Sequence, residues 1–185
     1  IVLLLASLLF YAYGEPKFIF VLLTSIALNY LFALGMDRLE AEGRRKIRKT
    51  VFIVGIVVNV GILFVCKYLN FTITVIDGLF GDILKTFPIT LPIGISFYTF
   101  QAISYLADVY RKEVGAQKNP IDLALYISFF PQLIAGPIVR YKTMAEALKN
   151  RKENWADITY GVRRFLTGLG KKVILSNNLS IVAEY

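Results

Sequence analysis

The chain has 185 residues, of which 56% are hydrophobic and 18% charged, with a formal net charge of +8, one cysteine and no histidine. This composition is too apolar for an ordinary water-soluble domain, and a lone Cys66 cannot make an intrachain disulfide. The missing histidine removes the commonest general base and metal ligand, and neither a Cys/His/carboxylate cluster at metal-ligand spacing nor a Gly-rich phosphate loop takes its place.

In chain order, Ile1 to Gly14 is an apolar run without an initial Met or a basic leader, and reads as the remainder of a truncated spanning helix. Charge-free runs follow over Phe18 to Met36, Thr50 to Cys66, Thr86 to Ala107 and Leu123 to Val139. A spanning helix needs about 20 mainly apolar residues. The runs therefore read as membrane segments, and four of them in so short a chain argue against a buried soluble bundle. Pro16 stands at the start of the second element, where its missing N–H does no harm.

Residues 36 to 49 hold six basic and three acidic side chains, which gives this loop +3 and assigns it to the cytoplasm. The third helix then runs outward to about Lys67-Tyr68. Residues 69 to 86 read as an external loop with a short interfacial helix. The fourth run returns inward and stops at Arg111-Lys112. With basic residues between apolar runs, the positive charge points to membrane topology and not to nucleic acid.

The fifth run has Arg111, Lys112 and Lys118 before it and Arg140, Lys142 and Lys149 after it. Both flanks look cytoplasmic, yet one simple crossing puts its ends on opposite sides. Pro131 and Gly136-Pro137 interrupt it where a helix would otherwise continue. We read residues 121–139 as a broken or re-entrant element, with a kinked but complete crossing as the alternative. Beyond it, residues 143 to 153 suggest an amphipathic surface helix, and Val173 to Ala183 starts another apolar element.

Polar residues inside apolar runs are the candidate functional groups. At about 100° per residue, Gly94, Tyr98, Gln101, Ser104, Tyr105 and Asp108 share one third of a helix. Such a face points into protein. It is either a hydrated tunnel wall that binds a polar substrate or a set of interhelical bonds. Asp108 either pairs with Arg111 three residues on or orients substrate. Gln132, beside Pro131, can approach backbone opened by the break. Gly136-Pro137 lets the chain pass close to a neighbour, and Arg140 offers a planar fork for phosphate or carboxylate, or anchors at lipid headgroups. Asn29 and Asn59, mid-run in their helices, read as packing contacts.

Two phrases carry a resemblance. They are Leu91-Pro92-Ile93-Gly94-Ile95-Ser96-Phe97-Tyr98-Thr99-Phe100-Gln101 with Asp108-Val109-Tyr110-Arg111, and Phe129-Phe130-Pro131-Gln132-Leu133-Ile134-Ala135-Gly136-Pro137-Ile138-Val139-Arg140-Tyr141. They resemble the membrane-bound O-acyltransferase family, in particular its alginate O-acetyltransferase-like branch, and similarity extends over nearly the whole chain. The resemblance implies an all-α, polytopic membrane protein, with residues 1–185 as one N-terminal part of its membrane domain, in a bacterial cytoplasmic membrane. It implies acetyl transfer from a cytoplasmic thioester such as acetyl-CoA, with no bound cofactor. The acceptors would be hydroxyls of an exported polysaccharide, with extracytoplasmic helper proteins as partners. The family's catalytic histidine has no counterpart here, so these residues are expected to be inactive alone and to supply scaffold and tunnel lining. A D-alanyl-transferring relative and a transporter or channel are the alternatives. The latter lacks support from repeats or mid-membrane acidic residues.

Overall fold

The computed structural model describes residues 1–81, 91–133, 139–149 and 154–183, and all of their regular structure is helical. Two compact units result, Ile1–Ala145 and Glu146–Tyr185.

In the first unit, α1 (Val2–Gly14) is followed by α2 (Ile19–Ala41) and α3 (Arg45–Lys67), each of 23 residues. At 1.5 Å per residue the latter two are about 34 Å long, enough for a hydrocarbon core of roughly 30 Å. They are also the two described helices both long and apolar enough to cross a membrane. Their outward faces expose Phe20, Leu31, Val57 and other large apolar side chains. That is costly in water and favourable in lipid. The cytoplasmic loop expected over residues 36–49 is much shorter than its charge suggested, since α2 continues to Ala41 and α3 begins at Arg45. Charged residues there are extra helical turns standing beyond the apolar layer.

The helix expected in the external segment is present as α4 (Leu69–Phe80), which ends at Gly81. The fourth apolar run forms a shorter helix than its length implies: α5 (Ile95–Tyr110) starts only after Gly94, whose φ of +74° cannot continue an α-helix. The start of that run, residues 86–90, lies outside the described residues.

Helices α2, α3 and α5 pack against one another, and α6 (Pro120–Ser128) contacts α1, α2 and α5. Gly55 lets α3 come close to both neighbours, because a Cβ there would sit 3.0 Å from Leu106 and 3.4 Å from Phe32. Leu22, Ile26, Ala33 and Met36 of α2, Leu63 of α3, and Ile95, Ala102 and Leu106 of α5 fill the interior. Asn29 and Asn59 bond to each other there, Asn29 Nδ2 donating to Asn59 Oδ1 at 3.0 Å and Asn59 Nδ2 to Asn29 Oδ1 at 2.8 Å. These are the packing contacts read from the sequence.

The fifth run is broken. α6 is nine residues, about 14 Å, and begins with Asn119 accepting from the Ile121 N–H at 3.1 Å and with Pro120 in its first turn. Phe129 interrupts the helix with a non-helical ψ of 108°, and α7 (Phe130–Leu133) restarts it with Pro131 in the first turn. Pro131 thus opens a new short helix instead of kinking an old one. Residues 134–138 lie outside the described residues. α8 (Tyr141–Lys149) follows, an amphipathic helix as expected for that stretch.

In the second unit, α9 (Trp155–Gly170) passes through a π-helical stretch (Lys171–Ser176) into α10 (Asn177–Ala183).

Candidate functional site

The break leaves the Tyr126 carbonyl without its usual partner four residues on. Two glutamine amides fill it: Gln101 Nε2 of α5 donates at 2.6 Å and Gln132 Nε2 of α7 at 3.2 Å. A second backbone group freed by the break, the Phe130 N–H, meets Ser7 Oγ of α1 at 3.4 Å. Backbone freed inside an apolar layer is costly unless protein satisfies it, and side chains from α1, α5 and α7 converge to do so. The approach of Gln132 to opened backbone follows the expectation, while the part of Gln101 becomes visible only in three dimensions.

Gly94 sits on the same break. A Cβ on it would lie 2.5 Å from the Leu133 carbonyl oxygen, and its positive φ already disfavours any other residue. The start of α5 is therefore seated directly on α7.

Toward the other end of α5, three tyrosines form a cluster. Tyr105, Tyr126 and Tyr141 meet edge to face, with ring centroids 4.9 to 6.4 Å apart. Tyr105 Oη accepts from the Gln117 N–H at 2.9 Å, and Tyr126 Oη donates to the Val139 carbonyl at 2.9 Å. Burial pushes the Tyr141 phenol above its ordinary pKa, aided by the carboxylate of Asp122.

Asp108 is 3% exposed, and its Oδ2 has no hydrogen-bond partner among the described residues. Its expected pairing with Arg111 does not form. Arg111 lies just past the helix end and pairs with Glu113 at 3.6 Å, as does Arg140 at 3.2 Å. The i,i+3 spacing was suitable, but Arg111 is 64% exposed in its side chain whereas Asp108 faces inward.

Buried Tyr98 and Tyr11 of α1 turn their hydroxyls toward each other, and neither hydroxyl has any other hydrogen-bond partner among the described residues. The polar face of α5 thus divides. Gln101 and Tyr105 are spent on structure, whereas among the described residues Tyr98 meets only the Tyr11 hydroxyl and Asp108 Oδ2 meets no partner. Ser104 is half-buried and joins none of these bonds. Pro131 and Gln132 are in place at the break, and Gly136 and Pro137 lie outside the described residues.

One constellation had no signal in the sequence. Arg48, in the first turns of α3, is 7% exposed. It bonds the carbonyls of Val109 (3.1 Å) and Tyr110 at the end of α5, stacks on Tyr110, and pairs with Glu40 at 2.9 Å. Lys112 also pairs with Glu40. A cavity of about 240 Å³ lies among Met36, Asp37, Glu40, Arg48, Val109 and Lys112. In a run of six basic residues, nothing local distinguishes the one whose carbonyl partners are supplied by a helix sixty residues away.

Among the described residues there is no His/Cys/Asp/Glu group fit to hold a metal ion. Residues 111–184 match the model of the membrane-bound O-acyltransferase family. The chain is 37% identical over 189 residues to a probable alginate O-acetylase of Pseudomonas syringae pv. tomato, a match covering all of this chain and 36% of that protein. A probable alginate O-acetylase of Pseudomonas aeruginosa is 35% identical over 190 residues, covering 100% and 36%. A peptidoglycan O-acetyltransferase of Helicobacter pylori is 33% identical over 210 residues, covering 99% and 39%. The chain thus spans little more than a third of the curated relatives it matches. No solved structure matches.

Proposed function

Since the chain belongs, over the stretch it spans, to the membrane-bound O-acyltransferase family, we propose that it forms part of a bacterial membrane enzyme that moves an acetyl group onto polysaccharide hydroxyls. The observation that carries this reading is similarity over essentially the whole chain to relatives named for O-acetylation of two glycans, alginate and peptidoglycan. The donor is a cytoplasmic thioester such as acetyl-CoA, the protein resides in the cytoplasmic membrane, and extracytoplasmic partners assist delivery to the acceptor.

The described residues contribute the wall of the reaction path. The broken element supported by Gln101, Gln132 and Ser7 is the kind of backbone that a bilayer tolerates only against protein or a wet cavity. Asp108, whose buried Oδ2 has no partner among the described residues, and the facing hydroxyls of Tyr98 and Tyr11 are suited to a polar substrate or to water along that path. Acyl transfer to a hydroxyl needs a base to take the hydroxyl proton, a contribution of about 10²–10⁴-fold. These 185 residues contain no histidine, so we place that base on chain outside them and expect these residues to be inactive alone.

The test is transfer of labelled acetyl from acetyl-CoA in membranes containing the longer parent protein, beside a variant of its family histidine. Label reaching a glycan or partner in a histidine-dependent manner supports the reading. Absence of transfer with partners and glycans supplied removes acetyl-CoA as donor, and uphill solute flux without transfer would replace the enzyme by a transporter.

A further inference from the structure

Helix α9 carries an apolar stripe left open by the described residues of its own unit. Trp155, Ile158, Val162, Phe165, Leu166 and Leu169 all fall on one side at about 100° per residue, and every one of them is exposed, Trp155 at 82%. The remaining circumference is polar or small. Arg163 and Arg164 stand on it, Lys171 and Lys172 extend the basic character into the π-helical stretch, and Asp157 in the first turn is the single acidic residue of α9. Two arginines in the middle of a 16-residue helix disfavour a spanning position, whereas a large apolar moment with a basic far side is the pattern of a helix lying in the headgroup region. Positive charge next to the stripe selects among surfaces, because anionic lipids attract Lys and Arg within a Debye length.

We propose that α9 docks on an anionic lipid leaflet, with its apolar stripe at the level of the upper acyl chains and Arg163, Arg164, Lys171 and Lys172 among the lipid phosphates. The occupant of the stripe is lipid, and this assignment does not depend on the transferase reading. Trp155, at the first turn of the stripe, is a side chain suited to that depth, apolar in body and polar at one atom.

Trp155 is also the sole tryptophan of the chain, so its emission reports on α9 without any substitution. The 185-residue chain would be placed in nanodiscs of phosphatidylcholine and phosphatidylglycerol containing lipids brominated either high on the acyl chain or near its end. We expect stronger quenching by the high bromines than by the deep ones. It should weaken in phosphatidylcholine alone and in the variant R163Q/R164Q/K171Q/K172Q. Absence of quenching by both lipids would overturn the proposal, since the stripe would then face water or protein. So would stronger quenching by the deep bromines, which indicates a crossing helix, and so would equal quenching in phosphatidylcholine alone, which removes the anionic surface.

Discussion

Replacing Gln101 does not by itself strip the Tyr126 carbonyl, because Gln132 still donates to it from 3.2 Å. Each of Gln101→Leu and Gln132→Leu should therefore cost about 0.5–1.5 kcal/mol, the net worth of one hydrogen bond. The double variant should cost more than their sum, because only then is a buried acceptor left bare, at about 1–3 kcal/mol. A double-mutant cycle on unfolding in detergent reads this directly, and additive costs would show that the two amides do not share one acceptor. The Asn29–Asn59 pair gives a second cycle with a different form. Removing either partner leaves the other still bonded within its own helix, to the carbonyl of Ser25 or Gly55. Coupling there should be modest, near the roughly 0.6 kcal/mol average of intramembrane hydrogen bonds and below about 1.7 kcal/mol. At this scale the sequence announced polar groups wherever they interrupted apolar text, as at Asn29, Asn59, Gln101 and Gln132. It could not announce Arg48, which lies among other charges, nor exclude the Asp108–Arg111 pair, since which way a side chain faces is decided by tertiary contact.

Helices begin and end here for reasons only partly local. The charge-free text of 86–107 fits one spanning helix by hydropathy, yet α5 cannot start before Gly94, which is left-handed and pressed against the Leu133 carbonyl. Gly94→Ala should therefore cost at least about 1–3 kcal/mol, from the strained φ together with the close contact. Gly61→Ala, in the interior of α3 with open space around it, should be neutral or stabilising by about 0.5–1 kcal/mol. Equal thermal shifts for the two would contradict the seating of α5 on α7. The far ends of α2, α3 and α5 meet at Glu40. A core of roughly 30 Å takes about 20 residues, so the last turn of α2 stands outside it. The carboxylate of Glu40 is held below its ordinary pKa, chiefly by the hydrogen bond from Lys112 and further by the charges of Arg48 and Arg45, against a smaller desolvation cost. A group with a depressed folded pKa contributes stability that is fully present above its unfolded pKa and is lost as pH falls through the folded value. Thermal stability in detergent should accordingly decline on acidification below the ordinary glutamate range, and Glu40→Gln should flatten that decline. An unchanged acid limb in Glu40→Gln would assign it to other carboxylates.

For the molecule as a whole, the question is on which side of the bilayer the broken element returns. A segment that crossed would hold its ends about 30 Å apart. Here Glu113, before α6, pairs with Arg140, beyond α7, at 3.2 Å, and the Tyr126 hydroxyl donates to the Val139 carbonyl at 2.9 Å. These two contacts fix both ends of the segment at one end of the bundle, whatever path residues 134–138 take. The sequence held half of this result: basic residues on both flanks cannot both obey the positive-inside tendency around a single crossing, and Pro131 marked where the helix would fail. What it lacked was the tyrosine cluster, since Tyr105, Tyr126 and Tyr141 are far apart along the chain and none interrupts its own run conspicuously. Topology can be read by single cysteines on a Cys66→Ala background. Lys118→Cys is preferable to a substitution at Asn119, whose side chain caps α6, and Lys142→Cys reports on the other flank. Both positions are exposed. A membrane-impermeant maleimide should label the two from the same face, inaccessible in intact cells and reactive in inverted vesicles if that face is cytoplasmic. Labelling from opposite faces would require the Glu113–Arg140 pair to be broken and the fifth run to cross. A shared face leaves α6 and α7 dipping into the layer and back, which requires their opened backbone to be enclosed by protein and gives Gln101, Gln132 and Ser7 their purpose.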